Sequence, residues 1–395
     1  MRWASSVAEG ESLDAIVEAV ALRVTEGLEH RTPDLVVAFV SPHFADELDR
    51  VPGLVRGMLG GGLLLGCSAG GVIGGGSEVE ERPAFSLTAA SLPGVDLRPF
   101  HLDGRTLPEP RDRTAWETAV RCTARDDASF LLLPDPFSCD TDRLLRGLDS
   151  SFPGASKIGG LASGARSAGG NRLYLGPNSY STGAVGVALT GNIAVESVVA
   201  QGCRPVGEPM FVTGCRENVV LELDGKPPLE VLRDLYESLP AEDREIFRHS
   251  LFLGVVMNER RDRYAQGDFL IRNLVGVAEE SRGLAVGATL AENQVVQFHL
   301  RDRRTSAEDL ESLLARYAEV ASLRPPTGSL LFSCLGRGAR LYGEANHDSG
   351  VFRRHLGDVP LGGFFCNGEI GQVQGRTFLH GYTSAFGMFR PHADA

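Results

Sequence analysis

Hydrophobic positions along the chain follow two alternating spacings. In six stretches apolar residues recur every three or four positions, which is the periodicity of a helix with one buried face. Between them lie short leucine-rich or β-branched runs, which are typical of buried strands. The predicted helices cover 11–29, 44–59, 112–125, 140–150, 227–238 and 305–322, and the predicted strands are DLVVAFV, GLLLGC, FLLLPD, SKIGG, SLLFSC and LGGFFC. This alternation predicts an α/β protein built from strand–helix–strand units.

Two parts of the chain share one plan, which indicates an internal duplication. Residues 84–103 and 283–302 each resemble a hairpin that ends in Phe-His-Leu before an acid. A helix, a buried strand, a second helix and a strand that breaks into glycines follow in both parts. The opening pair of strands looks like the same unit without its hairpin. We therefore predict mixed α/β (α+β) sheets in two related domains of repeated units plus hairpins. The predicted divisions are an N-terminal helix at 1–30, a first domain at 31–220 and a second at 221–390.

Composition narrows the class of protein. A chain of 395 residues is long enough for two cores, and 43% hydrophobic with 23% charged residues is typical of a soluble globular protein. The N-terminal twenty residues turn acidic before they turn apolar, which indicates a capped amphipathic helix rather than a signal peptide. The net charge of −12 argues against nucleic acid or a membrane surface as the partner. The seven scattered cysteines show no zinc spacing, which favours reduced thiols in the cytoplasm.

The segment Gly66-Cys67-Ser68-Ala69-Gly70 fits G-x-S-x-G, the nucleophile elbow of α/β-hydrolases. An elbow needs a helix directly after the serine, but three consecutive glycines follow at 74–76, and glycine is a poor helix former. The same ending of a strand in glycines recurs at 156–164 and 361–371 without the motif. We expect a feature of the repeat, not a catalytic Ser68. Glycine-rich strand ends gathered at one sheet edge would let a small ligand approach backbone N–H groups.

Eight short motifs occur in order over most of the chain. They are GCSAGG (66–71), IGGLAS (158–163), GAVGVAL (183–189), QGCRPVG (201–207), FLIRNLVGV (269–277), FSCLGRG (332–338), GFFCNGEIG (363–371) and FLHGYTSAF (378–386). Because of these eight motifs and their order, the chain resembles the FIST family, named for F-box and intracellular signal transduction. The resemblance implies an N-terminal and a C-terminal FIST domain.

The resemblance implies a sensory module that binds a small ligand. Relatives form the input end of bacterial kinases, chemoreceptors and cyclic-dinucleotide enzymes, or are fused to an F-box. Amino acids or their derivatives have been proposed as ligands, and some bacterial members look like haem-based nitric oxide sensors. No output segment is evident in this sequence, so we expect the signal to pass to a separate partner of the kinase or cyclase type.

Several polar residues are candidates for the ligand site. Arg204, which we expect on a rigid turn before Pro205, and Arg337, between two glycines, could each clamp a carboxylate with two hydrogen bonds. Glu369, on the next glycine-rich strand end, could bind an ammonium group or pair with Arg337. The predicted ligand-binding residues are Cys67, Ser68, Gly160, Cys203, Arg204, Asn273, Arg337, Asn367 and Glu369, in a pocket between the two domains.

The sequence thus predicts a cytoplasmic sensory protein for an amino acid or related polar metabolite, with no enzymatic activity, cofactor or metal. Two alternatives stay open. A haem-binding nitric oxide sensor would use His380 first, with His299 and His101 as competitors. A hydrolase would use Ser68, or a thiol enzyme Cys67.

Overall fold

The structure, a computed structural model, describes residues 1–261, 263–278 and 281–392. It contains two compact units. Among the described residues, the first comprises 1–199, 311–379 and 383–392, and the second comprises those within 200–310 and 380–382. These units group the chain differently from the domains predicted at 31–220 and 221–390, whose boundaries stay a prediction.

The first unit contains three six-stranded mixed sheets, which confirms the predicted α/β class. Its first strands are β1 (Arg2–Glu9), β2 (Leu35–Val40), β3 (Leu63–Ser68), β4 (Gly71–Gly74), β5 (Ser77–Glu80), β6 (Ala84–Ser91), β7 (Val95–Leu102), β8 (Ser129–Pro134), β9 (Lys157–Gly160), β10 (Leu173–Leu175), β11 (Asn178–Tyr180), β12 (Ala184–Gly191) and β13 (Ala194–Ala200). Its later strands are β20 (Gly328–Cys334), β21 (Leu361–Cys366), β22 (Glu369–Val373), β23 (Arg376–His380) and β24 (Ser384–Arg390).

The three sheets repeat one strand order. The orders are β1-β6-β2-β3-β10-β11, then β7-β12-β8-β9-β22-β23, then β13-β24-β20-β21-β4-β5. In each sheet the third and fourth strands are parallel, and the last two form a hairpin that comes from another copy of the repeat. The first unit is therefore a threefold repeat, in which the hairpin of each copy forms the last two strands of another copy's sheet.

The duplication predicted from sequence contains two of these three copies, and the opening pair of strands, predicted as the same unit, belongs to the third. The predicted hairpins are wrong. A turn at Pro93-Gly94 joins the two strands of 84–103, yet β6 pairs with β1 and β2 whereas β7 pairs with β12. The two strands thus enter different sheets. By sheet position the counterpart of β7 is β13, not a strand within 283–302.

Helices occupy all six predicted ranges. The helices are α1 (Leu13–Gly27), a 3-10 helix (Pro42–Arg50), α2 (Val51–Leu59), α3 (Arg113–Val120), α4 (Thr141–Ser151), α5 (Pro228–Ser238), α6 (Ala241–Phe247), α7 (Arg303–Ala321), α8 (Ala339–Tyr342) and α9 (His347–Leu356). Of these, α6, α8 and α9 lie outside the predicted ranges. The capped N-terminal helix begins only at Leu13, where the Ser12 side chain accepts from the amide of Ala15. The preceding residues 2–9 were expected to be helical and instead form β1, because β6 offers them an antiparallel partner.

One hydrophobic core joins all three copies. It includes Val37, Leu131 and Leu330 from corresponding strands, and the rings of Phe39 and Phe364 stack at 4.4 Å. Each fully buried side chain of this size stabilises the fold by about 1.5–3 kcal/mol.

A glycine occupies the same point in the fourth strand of each sheet. A Cβ at Gly66, Gly159 or Gly363 would lie 2.0, 1.9 or 1.9 Å from a carbonyl oxygen of the neighbouring parallel strand. No real Cβ makes so close a contact, so backbone packing requires glycine at all three points.

The second unit contains a closed six-stranded barrel of order β14-β15-β18-β17-β16-β19. Its strands are β14 (Cys203–Arg216), β15 (Val219–Leu223), β16 (Leu251–Val256), β17 (Phe269–Ala278), β18 (Gly283–Val286) and β19 (Val295–Arg301). The hairpin predicted at 283–302 is absent here, because β18 pairs with β15 and β17 while β19 pairs with β14 and β16.

Candidate functional site

Three strand ends of the first unit meet at one point. Gly70, Ser163 and Asn367 each follow the fourth strand of a sheet. Each lies the same number of residues after the glycine that recurs in that strand. The amide of Gly70 donates to Ser163 Oγ at 2.9 Å, and Ser163 Oγ lies against the carbonyl of Phe365. The amide of Asn367 donates to the carbonyl of Leu161. The copies are thus joined at the carboxyl ends of their parallel strands, which is where open α/β sheets bind ligands.

A cavity of about 1040 Å³ opens at this point, and we call it the strand-end cavity. Its volume lies just above the usual range for ligand sites, about 300–1,000 Å³. Its lining comes from all three copies and consists of Pro42, His43, Gly70, Glu80, Glu81, Pro136, Phe137, Ser163, Gly164, Ala165, Arg166, Leu335, Arg340, Phe365 and Asn367.

The lining carries charges of both signs. The Glu80 carboxylate accepts a hydrogen bond from the amide of Ala339 at 2.8 Å, and burial raises the pKa of Glu80. Glu81 and Arg340 approach to 3.6 Å on the exposed side. Arg166 is exposed, and its guanidinium contacts no carboxylate of the described residues. The cavity therefore offers an available cation and a partly desolvated carboxylate.

Arg337 does not line this cavity. It is fully buried, and its Nε donates to Asp348 Oδ2 at 2.8 Å while Nη2 donates to Asp348 Oδ1 at 3.2 Å. Burial alone would raise the pKa of Asp348, but Arg337 and the surrounding hydrogen bonds hold that pKa well below its usual range. The expected pairing of Arg337 with Glu369 is wrong, because Asp348 on α9 takes the guanidinium.

Glu369 is likewise buried rather than on a rim. Its Oε2 accepts from the amide and the hydroxyl of Thr383 at 3.0 and 2.6 Å, and Cys366 Sγ lies 3.5 Å from Oε1. Burial raises the pKa of Glu369 to about 7. Gly160 pairs with Glu369 across β9 and β22, and a Cβ there would come within 3.0 Å of Cys366. Gly160 is therefore fixed by packing.

Cys67 and Ser68 lie at the end of β3 with no exposed surface. Burial raises the pKa of the Cys67 thiol well above its usual value, so the reactive thiolate is disfavoured. Ser68 Oγ donates to Asn171 Oδ1 at 3.2 Å and accepts from the amide of Arg172 at 3.0 Å. A carboxamide oxygen is not a general base, so this contact does not activate the serine as a nucleophile.

The remaining predicted residues lie in the second unit. Arg204 belongs to the continuous strand β14, in which Pro205 pairs with His299, so the expected rigid turn is wrong. Its guanidinium binds Asp243 and, at 3.2 Å, Asp302. Cys203 is buried. Asn273 is exposed on β17, where its Oδ1 accepts from the hydroxyl of Tyr382.

Two domain profiles cover most of the chain. The FIST N domain matches residues 34–226, and the FIST C domain matches residues 228–372. The chain belongs to the FIST family.

Two relatives of this FIST chain match nearly all of its length, and a third matches less than half. An uncharacterised protein of Mycobacterium tuberculosis is 36% identical over 98% of this chain and 100% of its own length. An uncharacterised protein of Mycobacterium bovis is 36% identical over 96% of both. An F-box/LRR-repeat protein of Arabidopsis thaliana is 25% identical over 45% of this chain and 36% of its own. Among solved structures, cyanuric acid hydrolase from A. caulinodans aligns over 99% of both chains with 10% identity and a TM-score of 0.32, which is too low to indicate a shared activity.

FIST domains are generally sensory domains of signal transduction, so the family favours a sensor over an enzyme. Within the ranges that the structure covers, no helix is long and apolar enough to cross a membrane. The same residues contain no cluster of three or more His, Cys, Asp or Glu side chains suited to a metal.

The three histidines considered for haem occupy different settings in this FIST chain. His380 is buried at the end of β23. His299 Nδ1 lies 3.0 Å from the carbonyl of Gln297, and burial lowers the pKa of His299 to about 4. His101 Nε2 lies 2.9 Å from the carbonyl of Thr182.

The sequence prediction and the lining of the cavity share one residue. Of the predicted residues, Asn367 lines the cavity, whereas Arg166, Glu80 and Arg340 were not predicted. A signal was present for Arg166, which lies two residues beyond the predicted glycine-rich segment 156–164. Glu80 carried none, because its position depends on the hairpin that β4 and β5 lend to another sheet.

Proposed function

We propose that this FIST chain is a cytoplasmic, non-enzymatic sensor. It binds a small zwitterionic metabolite, an amino acid or a derivative, in the strand-end cavity. It then signals through a separate partner of the kinase or cyclase type.

The observation that carries the proposal is that one cavity is lined by both a guanidinium and a carboxylate that can bind a ligand. Arg166 supplies a guanidinium that can bind a carboxylate with two hydrogen bonds. The backbone amides of Ala165 and Arg166 have no acceptor among the described residues, so they can serve the same anion.

The Glu80 carboxylate supplies the complementary group for an ammonium. It is half-buried, and one oxygen is already held by the amide of Ala339. A bound cation would offset the desolvation that raises the pKa of Glu80. A zwitterion therefore satisfies both ends of the cavity, whereas a dianion would face Glu80 and Glu81.

The proposed mode of binding uses neither haem nor Ser68. It also excludes Arg337 and Glu369 from direct contact, since both are fully buried and bonded to other side chains.

A thermal-shift screen of the purified chain against amino acids and related polar metabolites tests the proposal. A ligand that binds only the folded state at a hundredfold excess over Kd stabilises it by about 2.7 kcal/mol. We expect at least one zwitterion to raise the melting temperature, while its decarboxylated and deaminated analogues have smaller effects. Equal shifts from the zwitterion and its two analogues would contradict the zwitterion site.

A further inference from the structure

The barrel of the second unit has a groove of its own. It has a volume of about 440 Å³, within the range of small-molecule sites, and we call it the barrel groove. It is lined by residues within 206–210 on β14, 223–226 at the end of β15 and 231–238 on α5, and by Phe298 on β19.

The floor of the barrel groove is apolar. Val206, Leu223, Leu235 and Phe298 belong to the barrel's hydrophobic core. On α5, Val231, Leu235 and Ser238 recur at helical spacing, so one face of this helix forms a wall.

A bulge in β14 shapes the opposite wall. Between the pairs Val206–Phe298 and Met210–Val296 the register shifts, so β14 carries extra residues there. Buried Gln297 holds this bulge in place by donating from Nε2 to the carbonyl of Gly207 at 2.6 Å. Bulges occur often beside binding sites, where they redirect side chains. Here the bulge places Glu208 at the rim.

The rim is acidic. Glu208, Asp224 and Asp234 provide three carboxylates and Lys226 provides one ammonium. Arg233 Nη2 lies 3.4 Å from Asp234 Oδ1 at an exposed position, so Asp234 keeps its other oxygen for a ligand. The Glu208 and Lys226 side chains contact no charged partner among the described residues, and Asp224 uses one oxygen to accept from the amide of Phe211. An apolar floor below a carboxylate rim is complementary to a ligand with a hydrocarbon body and a positive end.

We propose that the barrel groove is a second binding site, for a small amphipathic amine. The hydrocarbon part lies on Leu235 and Phe298, and the ammonium faces Glu208 and Asp234. The volume suits a small molecule rather than a peptide segment. This site is independent of the strand-end cavity and of the zwitterion proposed for it.

The test uses three probes of equal length, n-octylamine, n-octanol and n-octanoate, titrated by calorimetry into the full chain. We expect affinity to fall in that order at pH 7. Glu208→Gln with Asp234→Asn should weaken octylamine binding about three- to tenfold and leave octanol unchanged, since exposed charge pairs contribute modestly. Glu242→Gln, an exposed acid on α6, is the matched control and should change nothing.

Two further variants locate the site. Val231→Trp fills the groove and should abolish binding of octylamine and octanol together. Lys226→Glu adds a carboxylate to the rim at an exposed position and should strengthen octylamine binding about two- to fivefold. Octanoate binding as tightly as octylamine would overturn the proposal. So would unchanged octylamine affinity in the Lys226→Glu variant, which tests the rim even if Val231→Trp fails to fold.

Discussion

Arg337 and Asp348 form an ion pair in the interior of the first unit, with Nε and Oδ2 2.8 Å apart and side chains 0% and 1% exposed. The hydroxyl groups of Ser333 and Ser384 also bond Asp348 Oδ2. The pair is thus part of a buried network between β20, β24 and α9, and its role is structural. Within the described residues Arg337 Nη1 has no hydrogen-bond partner.

Removing one partner should destabilise the protein strongly. Arg337→Ala leaves a buried, uncompensated carboxylate, which typically costs about 3–5 kcal/mol. Urea unfolding of the wild type and the variant measures this loss. The double variant Arg337→Met, Asp348→Leu should lose less than the single one, because it removes both charges. A single variant as stable as the wild type would show that the pair contributes little.

Stability should depend on Glu369 between pH 5 and 7. Its folded pKa of about 7 lies above the usual unfolded value, so the folded state binds the proton more tightly. Its contribution is therefore fully present below the unfolded pKa and is lost as pH rises towards 7. Glu369→Gln should reduce the fall in unfolding free energy across this window, by up to about 1.4 kcal/mol per pH unit. Identical pH profiles for the two proteins would contradict the raised pKa.

The threefold repeat predicts equal behaviour at equivalent glycines. Gly159→Ala and Gly66→Ala each place a Cβ within 2.0 Å of a backbone carbonyl oxygen, so each should cost at least about 2 kcal/mol. Gly53→Ala is the matched control. It lies on α2 with no atom within 4 Å of the added Cβ, and should stabilise by roughly 0.5–1 kcal/mol. Thermal melting compares the three; a harmless Gly66→Ala would contradict the equivalence.

Local periodicity was enough to predict the six helices and the parallel strands, because both signals lie within a dozen residues. Strand pairing was not predictable in the same way. β6 and β7 are joined by a tight turn but enter different sheets, since their partners β1 and β12 are distant in sequence. For the same reason sequence reasoning could not assign Asp348 to Arg337. An arginine between two glycines indicates that the guanidinium has an acidic partner, but the sequence does not identify which acidic residue it is.

Haem should not be retained by this protein. Expression with a haem precursor should yield no stoichiometric Soret band, because the proposed ligand is a colourless zwitterion held by charged side chains. The absorbance spectrum of the purified chain measures this directly. A Soret band that disappears in His380→Ala would instead favour the gas-sensor alternative.

The central claim is that Arg166 and Glu80 recognise the two ends of a zwitterion. The most direct measurement is calorimetric titration of the wild type, Arg166→Gln, Glu80→Gln and the control Arg111→Gln with the amino acid that gives the largest thermal shift. Losing a charge-assisted hydrogen bond typically weakens binding about ten- to a hundredfold. We predict such a loss for Arg166→Gln and Glu80→Gln, and unchanged affinity for Arg111→Gln, an exposed arginine outside the cavity. Wild-type affinity in both cavity variants would contradict the account.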